Sequence, residues 1–448
     1  MTRRPRTPNT ALAALMQAHG LGNAQLARRV NTTGRELGMR LHYDKSTVSH
    51  WLAGSVPRPD VRPVVAEAIS RLVGRPVTCA EIGWPVEDDQ AAGADTVAGV
   101  VDLSRADMDP SRRGVLRTGM YAAALAVPRF EDGRLESVST AAATGRTVHI
   151  GRSDVDTVRT MTDKVADILD QVGAGHARPM AAAFLVNTAG PYLRAAGSEQ
   201  TRRDMRAAVA DFVYLTGWMA MYENEQGLGQ RYYVRALELA GAAEDHVTYC
   251  RTLRGMSLQA THLGHGKKGV ELADAAAEAA PAAGPRLRAF LRGQQAAAAA
   301  MTGDRTTALA RLREAEAALA RADDRRDAVG GYDQAALYFH EAHVRWHLGD
   351  RAASVAALER SNAARSPLER QGRLHCLGVT AERQARMRHI EAACHTWHEF
   401  LDHHVTVSSA RGDEHLKTML RALPAHRTVT GVTELEQRAR HVAAQKAA

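Results

Sequence analysis

The second half of the chain repeats one local pattern: an apolar helical stretch, a tight turn, then an Ala/Leu-rich helical stretch. The turn is plainest at Leu263-Gly264-His265, Thr302-Gly303-Asp304 and Leu348-Gly349-Asp350, with weaker versions at Gln226-Gly227 and Met387-Arg388. Nine residues after each marked Gly or Arg stands Ala236, Ala273, Leu312, Leu358 or Trp397, at intervals of 37, 39, 46 and 39. A helical hairpin cannot bury its apolar face alone, so recurrence at this period predicts hairpins stacked on their neighbours. Low aromatic content, 5% in a chain with 45% hydrophobic residues, and abundant Ala, Arg and Leu agree with helix over sheet. At 448 residues the chain exceeds what one core supports, so more than one domain is expected.

The period, slightly above 34, with a Gly turn between two helices, resembles degenerate tetratricopeptide repeats, and the resemblance spans about residues 206–440. Upstream, helical stripes run over Val155, Val158, Met161, Val165, Ile168 and Leu169, then over Met180–Leu193, then over Met205–Tyr222.

Charge separates the first 75 residues from the rest. They hold 12 Lys and Arg against 4 Asp and Glu, whereas the remainder balances at 46 of each, so the whole net charge of +8 lies in this segment. A basic segment on a neutral body implies an anionic partner for that segment. Within it, Thr10 is placed to cap a helix over Ala11–His19 carrying Leu12, Leu15 and Met16. A second helix from Asn23 to about Val30 turns Leu26, Ala27 and Val30 inward and Arg28 and Arg29 outward. A long connection follows over Asn31–Tyr43, where Leu37, Met39 and Leu41 imply an extra turn or a longer second helix.

Asp44-Lys45-Ser46-Thr47-Val48-Ser49-His50-Trp51-Leu52-Ala53-Gly54 then reads as a short helix with both its signals, Asp44 as N-cap and Gly54 as stop. Val48 and Trp51, three apart, bury on one side. Lys45, Ser46, Ser49 and His50 point outward as donors of a size suited to a DNA major groove. Another helix is expected over Val61–Val73, and a last short one capped by Thr78 and ending near Ile82-Gly83-Trp84.

These motifs (Leu21-Gly22-Asn23-Ala24-Gln25-Leu26-Ala27, the Asp44–Gly54 helix, and Pro57-Arg58-Pro59) resemble the phage-repressor, or XRE, helix-turn-helix domain. The resemblance implies five helices with the third in the major groove. It places Lys45, Ser46 and His50 at base-reading positions, with Thr47 and Ser49 beside them, and Asn23 and Arg58 at phosphates. Arg28 and Arg29 are added as phosphate contacts. Gly22 and Asn23 depart from the family's usual Ser/Thr cap and Gln, and the connection over 31–43 is longer than its turn.

The expected organisation is all-α: a basic arm at 1–9, a helix-turn-helix domain at 10–85, a linker with a short helix at 86–152, a helical connector at 153–205, and tetratricopeptide-like repeats at 206–442. Ser111-Arg112-Arg113-Gly114-Val115-Leu116 and the apolar Met120–Val127 resemble a twin-arginine signal but lie behind a whole domain. They are read as a capped helix.

Cys79, Cys250, Cys376 and Cys394 show no CxxC pairing and read as reduced thiols of a cytoplasmic protein. No run reaches the roughly 18 apolar residues of a membrane span. No Walker loop, HExxH or GxSxG stands in the chain, so no catalysis and no cofactor are expected.

Twelve of the 20 histidines follow residue 339. His340, His343 and His347 share one helical face, and Cys394, His395 and His398 are the nearest thing to a metal ligand set, though without complete spacing. The combination resembles actinobacterial regulators that join a repressor-type head to a tetratricopeptide-like body. That implies sequence-specific binding of double-stranded DNA, action as a homodimer, and a peptide or small-molecule effector in the repeat groove. The alternative is a protein-interaction scaffold working through its repeats, with the head as a docking module.

Overall fold

A computed structural model of the chain describes residues 7–36, 39–84, 95–108, 121–122, 149–280, 284–322 and 332–447. Among them all regular structure is helical. The one β-type pairing is an isolated bridge between His149 and Ala196. No helix of the described residues is long and apolar enough to cross a membrane. The chain divides into two compact units, one formed by residues 1–95 and 109–127, the other by 96–108 and 128–448.

Among the described residues the first unit has four helices, α1 (Thr10–Ala18), α2 (Asn23–Glu36), α3 (Lys45–Leu52) and α4 (Arg62–Val73). The cap of α1 is Asn9, not Thr10: its Oδ1 accepts from the Leu12 N–H at 2.9 Å. Helix α2 runs two turns beyond Val30, the longer of the two arrangements open for it. The fifth helix is replaced by hydrogen-bonded turns over residues 79–83, where Thr78 Oγ1 accepts from Glu81 N–H but no helix propagates. Gly83, at φ 82°, ends the segment before a second turn can form. The expected stripes meet in one core of Leu12, Leu15, Met16, Leu26, Ala27, Val30, Val48, Trp51, Val64, Val65, Ala68 and Ile69, closed by Ile82 and Trp84. Arg71 on α4 donates to Glu67 and to Glu36 of α2, both at 2.6 Å, and ties those helices beside the core.

In the second unit, five antiparallel hairpins follow one another: α9–α10 (Glu199–Tyr222, Gln226–Ala242), α11–α12 (His246–His262, Gly266–Glu278), α13–α14 (Pro285–Met301, Arg305–Leu319), α15–α16 (Gln334–His347, Arg351–Ala364) and α17–α18 (Arg370–Arg386, Ile390–His404). Each packs within itself and on the next.

Every hairpin turns through one residue of positive φ: Asn224, Gly264, Gly303, Gly349 and Arg388. In the fourth, Gly349 N–H donates to Trp346 O at 3.2 Å and Asp350 N–H donates to Arg345 O at 2.9 Å. This paired closure satisfies carbonyls that the helix end would otherwise strand. The same two bonds recur in all five. The first turn is therefore at Asn224; Gln226 and Gly227 lie inside α10, and a glycine search misses the turn because asparagine also tolerates this conformation. Measured from the true turns, the ninth residue is Tyr233, Ala273, Leu312, Leu358 and Trp397, and all five are buried.

Two further features were not expected. Residues 96–108, read as linker, form helix α5 (Thr96–Met108), with Val100, Val101, Ser104 and Asp107 buried. Asp107 pairs with Arg178, and Tyr232 OH donates to it at 3.2 Å. The acidic, small-residue composition hid a helix whose aspartate is buried against an arginine. The Ser111–Leu116 motif, Met120 and the segment from Ala123 to Val127 lie outside the described residues.

The hairpin array also returns on itself. Helix α6 (Arg152–Val172) packs on α9 of the first hairpin and on α17 of the fifth. After it come α7 (Ala174–Phe184), a π turn over Leu185–Ala189, and α8 (Gly190–Arg194). Ser408 N–H donates to Val172 O at 2.8 Å, and Gly175 N–H donates to Ser408 O at 3.1 Å. Gly173 admits this crossing: its φ is 97°, and a Cβ there would stand 2.2 Å from Ser408 O. Helices α19 (Ala410–Ala422) and α20 (Val432–Ala447) cover the fifth hairpin with Leu416, Met419, Leu435 and Ala439.

The two kinds of glycine predict different costs. Gly349→Ala meets only the left-handed backbone penalty, because nothing lies within 4 Å of its added Cβ; a loss of about 1–2 kcal/mol is expected. Gly173→Ala adds a backbone clash and is expected to cost more. Arg388→Gly relieves the same strain and is expected to stabilise by up to about 1 kcal/mol. Urea unfolding midpoints of the three variants check the order.

Candidate functional site

Helix α3 is positioned by contacts on both sides of the long connection before it. Asn31 on α2 clips the backbone of Tyr43, its Nδ2 donating to Tyr43 O at 2.7 Å and its Oδ1 accepting from Tyr43 N–H at 2.8 Å. Tyr43 packs edge-on against Trp51, with ring centroids 5.3 Å apart, and Trp51 packs on Trp84 at 5.9 Å. Asp44 then caps the helix, accepting from both the N–H and the hydroxyl of Thr47 at 2.9 Å. Those bonds hold its carboxyl below the usual carboxylate range. At the other end Ser55 N–H donates to His50 O at 2.9 Å across Gly54, at φ 93°. The connection is long, but its last residue is fixed to the core of the unit.

With Val48 and Trp51 buried, Lys45, Ser46, Ser49 and His50 are exposed and Thr47 is half-buried. Asn23, at the start of α2, donates to Ser49 Oγ at 3.0 Å, and Ser49 Oγ donates to Lys45 O at 3.0 Å. The structure therefore brings Asn23 to the exposed side of α3. Arg28 and Arg29 stand on the outer side of α2, away from Leu26, Ala27 and Val30. Arg58 is exposed in the loop after α3 and pairs with Asp60 at 3.2 Å. Lys45, Arg28 and Arg29 form no ion pair with any described residue. The exposed side of α3 and the outer side of α2 thus carry hydrogen-bond donors and cations.

Residues 7–9, counted with the basic arm, are part of the unit: Asn9 N–H donates to Leu52 O at 2.9 Å. Sequence reasoning missed Asn31, because an asparagine inside a polar helix segment carries no signal until its partner, Tyr43, is known.

The histidine clusters resolve into separate environments. Cys394 is buried in the apolar cover of the fifth hairpin, and burial pushes its thiol up. His395 points to solvent and pairs with Glu399 at 3.3 Å. His398 meets Arg438 at 3.0 Å. The three side chains do not converge, and no group of His, Cys, Asp and Glu among the described residues is arranged to hold a metal. His340 is buried, its Nδ1 2.9 Å from Tyr332 OH and its Nε2 3.2 Å from Arg254; burial and that guanidinium keep it neutral. His343 meets Arg383 at 3.2 Å, while His347 is exposed.

Residues 12–85 match the family described as the SP15 N-terminal domain. The matched stretch begins in α1 and ends one residue past Trp84. No curated protein matches the chain. Among solved structures it is similar to a chain from "Crystal structure of APC/C hetero-tetramer Cut9-Hcn1", at 12% identity and a TM-score of 0.33, covering 93% of this chain and 68% of that one. A likeness that slight bears on neither fold nor function.

Asn31→Ala removes both bonds to Tyr43 and is expected to cost the first unit about 1–2 kcal/mol, read as a lower unfolding midpoint. Asp44 has its folded pKa depressed, so its contribution is present above the unfolded value and lost as pH falls through the folded one. Unfolding midpoints followed downward from pH 5 should therefore fall more steeply in the wild type than in Asp44→Asn, which keeps a cap but does not titrate.

Proposed function

We propose that the chain is a sequence-specific DNA-binding regulator: the first unit is a helix-turn-helix whose α3 enters the major groove, and the hairpin array is its protein-interaction part. The observation that carries this reading is the exposed side of α3. Lys45, Ser46 and His50 are free to meet base edges there, Thr47 and Ser49 lie beside them, and a two-bond clamp from Asn31 fixes the helix at its start. Asn23, Arg28, Arg29 and Arg58 would then hold phosphates, which positions the helix without reading sequence. The concentration of the whole positive excess in residues 1–75 supports the same partner. In this reading the protein acts as a dimer on paired half-sites, and the hairpin array supplies the dimer contact and answers to an effector.

A second reading is favoured by the five stacked hairpins themselves. Repeat architectures offer extended surfaces to protein partners, so the array would be an interaction scaffold and the first unit a docking module. Both readings give the hairpins a binding role. They differ in what the first unit does.

Fluorescence anisotropy with a pool of duplex DNA separates them. The DNA reading predicts binding that weakens with a log–log salt slope of roughly −3.6 if about four cations displace counterions per protomer. Lys45→Ala combined with His50→Ala should abolish preference among sequences and leave weak salt-sensitive binding. Arg28→Ala should weaken all sequences alike and lower the slope by about one. Absence of DNA binding by the folded chain even at low salt favours the scaffold.

A further inference from the structure

The closure of the hairpin array leaves buried positive charge on its inner side without acidic partners. Arg254 on α11 is 5% exposed and Arg411 on α19 is 7% exposed. Arg254 donates through one nitrogen to His340 and lies over the Phe290 ring at 4.1 Å and the Trp218 ring at 5.7 Å. Its Nε and second terminal nitrogen have no hydrogen-bond partner among the described residues. Arg411 lies over the Tyr222 ring at 4.7 Å and is hydrogen-bonded to that phenol, and its Nε and one terminal nitrogen are likewise without partners among the described residues. The groups that favour either charge are tyrosine phenols, not carboxylates.

Arg383, a third buried arginine on the inner side, shows what a structural arginine looks like here. It donates to Ser354 Oγ at 2.6 Å and to Ala342 O at 3.0 Å, and it meets His343. Arg254 and Arg411 have no such set.

The two guanidiniums share a neighbourhood. Trp218 and Tyr222 are one turn apart on α9, about 6 Å along the helix, with ring centroids 5.4 Å apart; one arginine covers each ring. The Tyr233 hydroxyl, also unpartnered, sits against Gly255 beside Arg254. His375 meets the Tyr222 ring at 6.2 Å and bonds to His415 at 2.9 Å. His415 is occupied by Glu382 at 2.8 Å, so the nearest carboxylate in this chain of contacts is spent on a histidine. His262 keeps exposed surface, yet the Arg411 charge, then burial, push its pKa down to about 3.

We propose that the inner side of the closed array binds a small dianion, a phosphate group or a dicarboxylate, between Arg254 and Arg411. Two planar forks with spare N–H groups match oxyanion geometry, and two unpaired positive charges call for about two negative ones. Tyr222, Tyr233, His262 and His375 are the polar side chains around it. The site lies within the second unit and stands or falls independently of DNA binding by the first.

The test is isothermal titration of the full chain with inorganic phosphate, and separately with succinate, at constant ionic strength made up with chloride. Saturable binding of one equivalent is expected. Phosphate as the tighter ligand assigns a phosphorylated ligand, and succinate as the tighter assigns a dicarboxylate. Arg254→Met and Arg411→Met should each weaken binding about tenfold to hundredfold. Lys45→Ala with Arg28→Ala should leave it unchanged, which separates the site from phosphate contacts on the first unit. The unliganded Met variants should unfold at the same or a higher temperature than the wild type, because each removes an uncompensated charge while keeping the stem. Absence of saturable binding of either ion by the wild type overturns the proposal. So does binding that survives in both Met variants, or a marked thermal loss in Met variants whose binding is intact.

Discussion

The hairpin array depends on one backbone constraint, a single left-handed residue between its paired helices. Asn224, Gly264, Gly303, Gly349 and Arg388 each reverse the chain in the same way, and Glu244 repeats the geometry between the first and second hairpins. Because both closing hydrogen bonds recur, successive hairpins start with the same helix-to-helix relation. Side chains nine positions later then fall at one depth, where the buried set of Tyr233, Ala273, Leu312, Leu358 and Trp397 forms the seam. Asp245, Asp304 and Asp350, each the residue directly after the left-handed one, also cap the next helix. One short turn therefore ends a helix, sets the reversal and starts the next helix.

Closure turns this repeat into something other than an open groove. Helix α6 packs on both the first and the fifth hairpin, and the crossing at Gly173 and Ser408 fixes that return. Polar residues facing inward are then shut in with aromatic rings instead of solvent. The low dielectric that results makes hydrogen-bond accounts strict, and unpaired groups there are costly. Arg383 is fully answered, whereas Arg254 and Arg411 are not. That difference within one inner face gives the anion proposal its weight.

Much of the fold was legible in the sequence because it follows from local rules. The stripes Leu12, Leu15 and Met16, then Leu26, Ala27 and Val30, then Val48 and Trp51, are the core residues of the first unit. Asp44 and Gly54 bound α3 as their chemistry requires. The failures share a cause, which is partners distant in sequence. Asn224 takes a conformation usually marked by glycine, so the first turn was placed at Gly227. Thr10 had the right chemistry for a cap, but Asn9, held by Leu52 O, took the position. Asp107 looked like linker composition because Arg178, its partner, is 71 residues away. The surface side of α3 was readable from its period, but the Asn31 clamp and the inner arginines require the tertiary fold.

Under the DNA-binding reading, the first unit recognises duplex DNA through α3. The most direct test of that reading is repeated selection of a random duplex library by the intact protein, followed by sequencing of the retained pool. One enriched motif is expected, made of two related half-sites whose centres lie about 10 base pairs, or a multiple of that, apart. A retained pool without an enriched motif, from protein shown to be folded, would contradict it.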